Sequence, residues 1–165
     1  MIKKSFIVAL VLAIAMSGWL AYYFSAKEVI KRQLTGLAVE LGKEEQESPL
    51  QMARKMGKIK KMLEKDCLVT IPEMGYSEVL EQDLIIHYLI YHRNRFALLT
   101  AAFEDVIIDI PLKGQATVQS TVSLRHQNMA QTGFIEESHQ VEIALVKSDK
   151  KWLFHKVTMP EALVE

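Results

Sequence analysis

The residues best suited to acid–base work are histidines set on apolar phases. Alternation puts Val118, Ser120, Val122, Leu124 and His126 on one face of a strand, and His139, Val141, Ile143 and Leu145 on one face of the next. His126 and His139 are therefore expected to point inward, where two imidazoles near one pocket could serve as general acid and base. His155 shares a phase with Leu153 and Val157, and His87 falls beside Leu80, Leu84 and Tyr91 on a helix. The competing reading sets His126 and His139 at strand ends next to a polar loop, exposed to solvent. No HxH or HxxxH spacing supports a metal, and no cofactor is expected.

Carboxylates are the other candidates. Asp105 and Asp109 share a phase with Phe103 and Ile107, and a bulge near Glu104 and Asp105 would flip the register and change which carboxylate faces inward. The candidate pocket set is thus His87, Tyr91, Asp109, His126, His139 and His155, with no residue assigned as catalytic. Cys67 sits among Leu68, Val69 and Ile71 and reads as a buried apolar filler rather than a nucleophile. Nucleophile-elbow, phosphate-loop and dinucleotide fingerprints are absent.

A second feature is basic. Arg54, Lys58, Lys61 and Lys65 recur at spacings of four, three and four, with Lys55 and Lys60 alongside, so one helix face could rest on anionic headgroups or an acidic partner, or remain a solvated surface. The chain as a whole is balanced, twenty Lys and Arg against twenty Asp and Glu, so no global field recruits nucleic acid. A lone cysteine excludes an internal disulfide.

The elements that must position these residues begin with an uncharged run from Ser5 to Phe24, twenty residues that as a helix would span about 30 Å. Trp19, Tyr22, Tyr23 and Phe24 gather at its distal end and Lys3 and Lys4 flank the other, as at two membrane interfaces. The run is expected to be a signal-anchor in membrane lipid, with residues 1–4 in the cytoplasm, 5–24 crossing a bacterial inner membrane, a domain over 25–160 in the periplasm, and a tail over 161–165; the rival reading is a signal peptide cleaved after Ala15 or Ser17.

Ile30, Leu34, Leu37 and Leu41 predict a helix over about 26–46, and Ser48-Pro49 followed by Met52, Met56, Ile59 and Leu63 predicts a second over about 49–65. A short β segment over Cys67–Ile71, a loop over Glu73–Ser77 and a mostly apolar, buried core helix over about 78–94 follow. From Phe96 the period becomes two, predicting four long antiparallel strands over about 96–110, 114–127, 136–147 and 151–159. Helices followed by strands make an α+β class, three helices on a curved sheet.

This order, with a closing segment Ser148-Asp-Lys-Lys-Trp-Leu-Phe-His-Lys-Val157, resembles the nuclear transport factor 2-like group of cone-shaped folds, which includes SnoaL-like proteins. The resemblance covers about residues 27–160. It implies a cavity between the concave sheet and the helices, and in membrane-anchored members a periplasmic role in secretion or other envelope machinery. The leading expectation is a tethered, non-enzymatic interaction or assembly module with envelope protein partners, homodimeric, and with no nucleic-acid role. The alternative is a small hydrophobic ligand or lipid binder, or a lyase/isomerase-type enzyme with His126, His139 or Asp109 as acid or base.

Overall fold

The computed structural model describes residues 16–18, 25–129 and 133–163. It divides into two compact units, Met1–Gln33 and Leu34–Glu165. Of the apolar run, only Met16, Ser17 and Gly18 are described, as helix; the remainder of the expected anchor lies outside the described residues. The expected placement in the inner membrane is overturned: among the described residues, no helix is long and apolar enough to cross a membrane.

Helix α1 (Ala26–Leu41) ends five residues short of the expected boundary, where the chain leaves the helix at Gly42 and Lys43 pairs with Leu99 in an isolated antiparallel bridge. A Cβ at Gly42 would lie 3.3 Å from the carbonyl oxygen of Leu99, so glycine permits this close approach. Helix α2 (Pro49–Lys60) starts where the sequence predicts. The Ser48 hydroxyl accepts a hydrogen bond from the backbone of Gln51 at 3.2 Å, and the Gln51 side chain accepts one from the backbone of Ser48 at 2.7 Å, with Pro49 in the first turn. Met56 and Ile59 form its buried stripe.

The expected stripe reaches Leu63, but the helix does not. Leu63 opens strand β1 (Leu63–Ile71), so Lys61 caps α2 and Lys65 belongs to a strand. The tight turn Pro72–Met74 and Gly75, at φ 62°, lead into β2 (Tyr76–Glu81), which pairs antiparallel with β1. Residues expected as a loop and a helix start are therefore an edge strand, with Leu80 buried opposite Cys67 and Val79 exposed. The pairing satisfies backbone groups along the hairpin, and that non-local gain overrides the local helical pattern.

Helix α3 (Gln82–Arg93) is shorter than expected, and only part of it is buried. Ile86 is buried, whereas Leu84, Tyr88 and Tyr91 lie along an exposed stripe. Strands β3 (Phe96–Leu112), β4 (Gln115–Asn128), β5 (Ile135–Ser148) and β6 (Lys151–Thr158) form the antiparallel meander read from the sequence. Asp149 and Lys150 at φ 47° and 67° make the last turn, whose left-handed backbone matches the twist of a two-residue hairpin.

The sheet has six strands rather than about four, in the order β2-β1-β6-β5-β4-β3, and β1 pairs with β6 in parallel. Helices pack on this curved sheet, and buried Val118, Val122, Ile143, Leu145, Trp152 and Phe154 belong to its core.

Candidate functional site

A cavity of about 530 Å³ lies between the sheet and the helices of the second unit. Helix side chains such as Leu37, Ile59 and Leu89 meet strand side chains such as Phe103, Val122 and Ile143 around it, so its walls are mostly apolar. The β4–β5 register sets even-numbered residues of β4 opposite odd-numbered residues of β5: Leu124 faces Glu137 and Val122 faces His139. Polar groups enter the lining where α3 ends, β3 begins and β4 meets β5: His92, Arg93, Arg95, His126, Asn128 and Glu137.

His126 is buried and tilted against the Phe96 ring at 4.5 Å between centroids. Its Nε2 lies 3.1 Å from Glu137 Oε1, and the other oxygen of Glu137 lies 3.1 Å from His139 Nε2. An ionised carboxylate only accepts, so each Nε2 donates its N–H and Glu137 fixes both imidazoles. His126 Nδ1 is buried and has no hydrogen-bond partner among the described residues.

Arg93 is the other buried polar anchor. Its Nε donates to the Leu41 carbonyl at 2.8 Å, and its Nη2 donates to the Gly42 carbonyl and to Glu47 Oε1, the latter at 3.0 Å. Arg93 and Glu47 side chains are only 3% and 4% exposed, and Lys55 also reaches Glu47 at 2.8 Å. Burial works against the Glu47 charge, but hydrogen bonds from Arg93 and Lys55 outweigh it and hold this carboxyl below its ordinary range. Burial, reinforced by the charge of Arg95, pushes His92 down and favours its neutral form. Burial likewise pushes the Cys67 thiol, also in the cavity wall, up to about 11, with the Glu64 charge adding to the effect.

The sequence-derived pocket set divides. His126 lines the cavity, and His139 joins it through Glu137 while also lining a more polar cleft with Thr121 and Thr158. His87 and Tyr91 do not line it, because α3 turns Ile85, Leu89 and His92 inward and leaves these two exposed. Asp109 is also exposed. The strand bulges between Glu104 and Ile107, with Asp105 at φ 51°, so Phe103 before the bulge and Ile108 after it are the inward residues and Asp109 points away.

His155 is expelled in the same manner. Phe154 pairs with Leu145 and Lys156 with Ala144, leaving His155 unpaired at an irregularity, exposed and bonded through Nδ1 to Glu64. The basic set is not one stripe either: Lys55 and Lys58 pair with Glu47 and Glu40, Arg54 is exposed on α2, and Lys61 and Lys65 lie beyond that helix. Sequence reading missed Arg93 and Glu137. The available signals were a charge in the last turn of an apolar helix and an acid two residues from His139 on the same strand face.

Among the described residues, no group of three or more His, Cys, Asp or Glu is arranged to hold a metal ion. No family model matches the chain, and no curated protein matches it in sequence. Solved structures do match. One assigned as a scytalone dehydratase from Novosphingobium aromaticivorans aligns with a TM-score of 0.65 at 17% identity, covering 81% of each chain. A nuclear transport factor 2-like protein from Cytophaga hutchinsonii aligns with a TM-score of 0.57 at 17% identity, covering 83% of this chain and 98% of that one. The chain has the nuclear transport factor 2-like fold. LinA aligns at 12% identity with a TM-score of 0.60, covering 85% of each chain. At these identities the nuclear transport factor 2-like likeness concerns the fold alone.

Proposed function

We propose that the cavity receives a small, largely apolar organic molecule and that His126 acts on its polar end as acid or base, giving a lyase- or isomerase-type enzyme. The observation that carries this reading is the buried His126 imidazole. One nitrogen is held by Glu137, and the other is unpartnered in the wall of a mostly apolar cavity. Leaving a buried polar atom unsatisfied costs about 1–3 kcal/mol, which a ligand atom at Nδ1 would relieve. With Nε2 donating to Glu137, a neutral imidazole presents the Nδ1 lone pair, the form that removes a proton, and Glu137 stabilises the imidazolium that results. The fold's likeness to a structure assigned as a dehydratase is consistent with such chemistry.

The test uses the full chain and 2-tetralone, a compact apolar ketone with acidic α-protons. In deuterated buffer, α-proton exchange followed by NMR is expected to exceed the buffer rate, and His126→Gln is expected to lower the gain about a hundredfold or more. Bound 2-tetralone that exchanges only at the buffer rate would overturn the acid–base role. Absence of binding by 2-tetralone and by the aliphatic probes octanoate and 1-octanol alike would overturn the cavity reading.

A second reading, an interaction module without catalysis, draws on the exposed stripe of Leu84, Tyr88 and Tyr91 on α3. Its proposed occupant is a second copy of the chain. Sedimentation showing a monomer at all concentrations tested would remove it.

A further inference from the structure

We infer that the ligand of the cavity carries a carboxylate, and that the unpartnered Nη1 edge of Arg93 receives it. This rests on the proposed ligand cavity and specifies what that cavity selects.

Arg93 lines the cavity, and its side chain is 3% exposed. Nε and Nη2 are committed to the Leu41 and Gly42 carbonyls and to Glu47, so the guanidinium is fixed in orientation. Nη1 is buried and has no partner among the described residues. A guanidinium carries its charge at every accessible pH and offers five N–H donors, so the orphaned edge calls for an acceptor and favours an anionic one.

Local charge points the same way. Glu47 is shared between Arg93 and Lys55, and Lys43 directs its ammonium to the Arg93 and Phe96 carbonyls rather than to an acid. The carboxylate in the cavity wall, Glu137, is engaged by both His126 and His139. Arg93 and Arg95 therefore face a lining with one acid that is already occupied. The bridge between Lys43 and Leu99, and the pairing of Leu99 with His126, place the backbone that holds Arg93 beside the strand pair carrying His126. Arg93 and His126 both line the cavity, so a single ligand there can meet both.

The experiment measures binding of octanoate and of 1-octanol to the full chain by calorimetry, probes alike in tail and different in charge. Octanoate is expected to bind at least tenfold more tightly, with the Arg93 Nη resonances shifting in ¹⁵N side-chain spectra. Arg93→Lys is expected to erase the preference while retaining 1-octanol binding, with thermal unfolding confirming that the variant folds. Because the comparison of the two probes uses the unmutated chain, it stands even if that variant does not fold. Equal affinity for both probes, or octanoate binding without an Arg93 shift, overturns the carboxylate assignment and leaves the cavity reading intact. Failure of octanoate, 1-octanol and 2-tetralone alike to bind overturns the cavity reading and this inference with it.

Discussion

Glu47 is sensitive to pH through its buried pairing with Arg93, since its carboxyl is nearly sealed from solvent and held below its ordinary range. The folded-state pKa of Glu47 is held below its ordinary value of 4.5, so its stabilising contribution is complete above that value. It is lost as pH falls through the folded-state value. Thermal unfolding between pH 7 and 3 should therefore show stability dropping below about pH 4.5, and Glu47→Gln should be less stable at pH 7 with a shallower acid limb. Cys67 makes an opposite case. A rise from 9.0 to about 11 cuts its thiolate fraction about a hundredfold near neutral pH, before burial further limits access. Iodoacetamide at pH 8 is expected to label native protein at least that much more slowly than the urea-unfolded chain. Cys67 was legible as an apolar filler because its neighbours are apolar; Arg93 was not legible as a buried ion, because its partners lie 46 to 52 residues away in sequence.

At the scale of elements, the bulge in β3 decides which carboxylates can reach the cavity. Two residues, Asp105 and Val106, lie between the paired Glu104 and Ile107, while Ser120 alone separates their partners on β4. The Ser120 hydroxyl donates to the Glu104 carbonyl at 2.7 Å, supplying a partner at the point where the ladder is interrupted. Ser120→Ala is expected to cost about 1–2 kcal/mol in urea unfolding. Asp105→Gly should be tolerated at φ 51°, whereas Asp105→Val should cost about 1–2 kcal/mol more than Asp105→Gly. The α2 cap gives a parallel case, with Ser48→Ala expected to cost about 1 kcal/mol by the same measurement. The cap was readable because its residues are adjacent in sequence. The bulge near Glu104 and Asp105 was only one of two registers open to the sequence, and the pairing with β4 decided it and turned Asp109 outward.

Across the whole molecule, the sheet depends on a contact between distant parts of the chain. β6 lies between β1 and β5, parallel to one and antiparallel to the other, with Phe154 opposite Leu63 on one side and Leu145 on the other. The Phe154 backbone also donates to the Met62 carbonyl at 2.8 Å, linking the end of α2 to the central strand. Phe154 is 2% exposed, and Phe154→Ala is expected to cost about 3–5 kcal/mol, read as a shift of the urea midpoint at unchanged slope. A larger apparent cavity in this variant, measured as tighter 1-octanol binding than in the unmutated chain, would follow from the space left in the wall that Phe154 lines.

Sequence by itself determined the α+β class, the capped α2, and the four-strand meander and its turns, because each depends on local period or turn chemistry. It left His126 open between an inward and a solvent-exposed placement, which the tertiary structure decided as buried. From the apolar run it led to an inner-membrane placement, which is overturned because no helix among the described residues is long and apolar enough to cross a membrane. Tertiary structure alone decided the edge strand β2, the parallel pairing of β1 with β6, and the exclusion of His87, Tyr91, Asp109 and His155 from the cavity lining. It also brought Glu137 to both histidines and Arg93 to Glu47. The physical reason is common to all of these. Side-chain direction follows from periodicity only until a bulge or a distant hydrogen-bonding partner resets it, and those are set by contacts across the fold rather than along the chain.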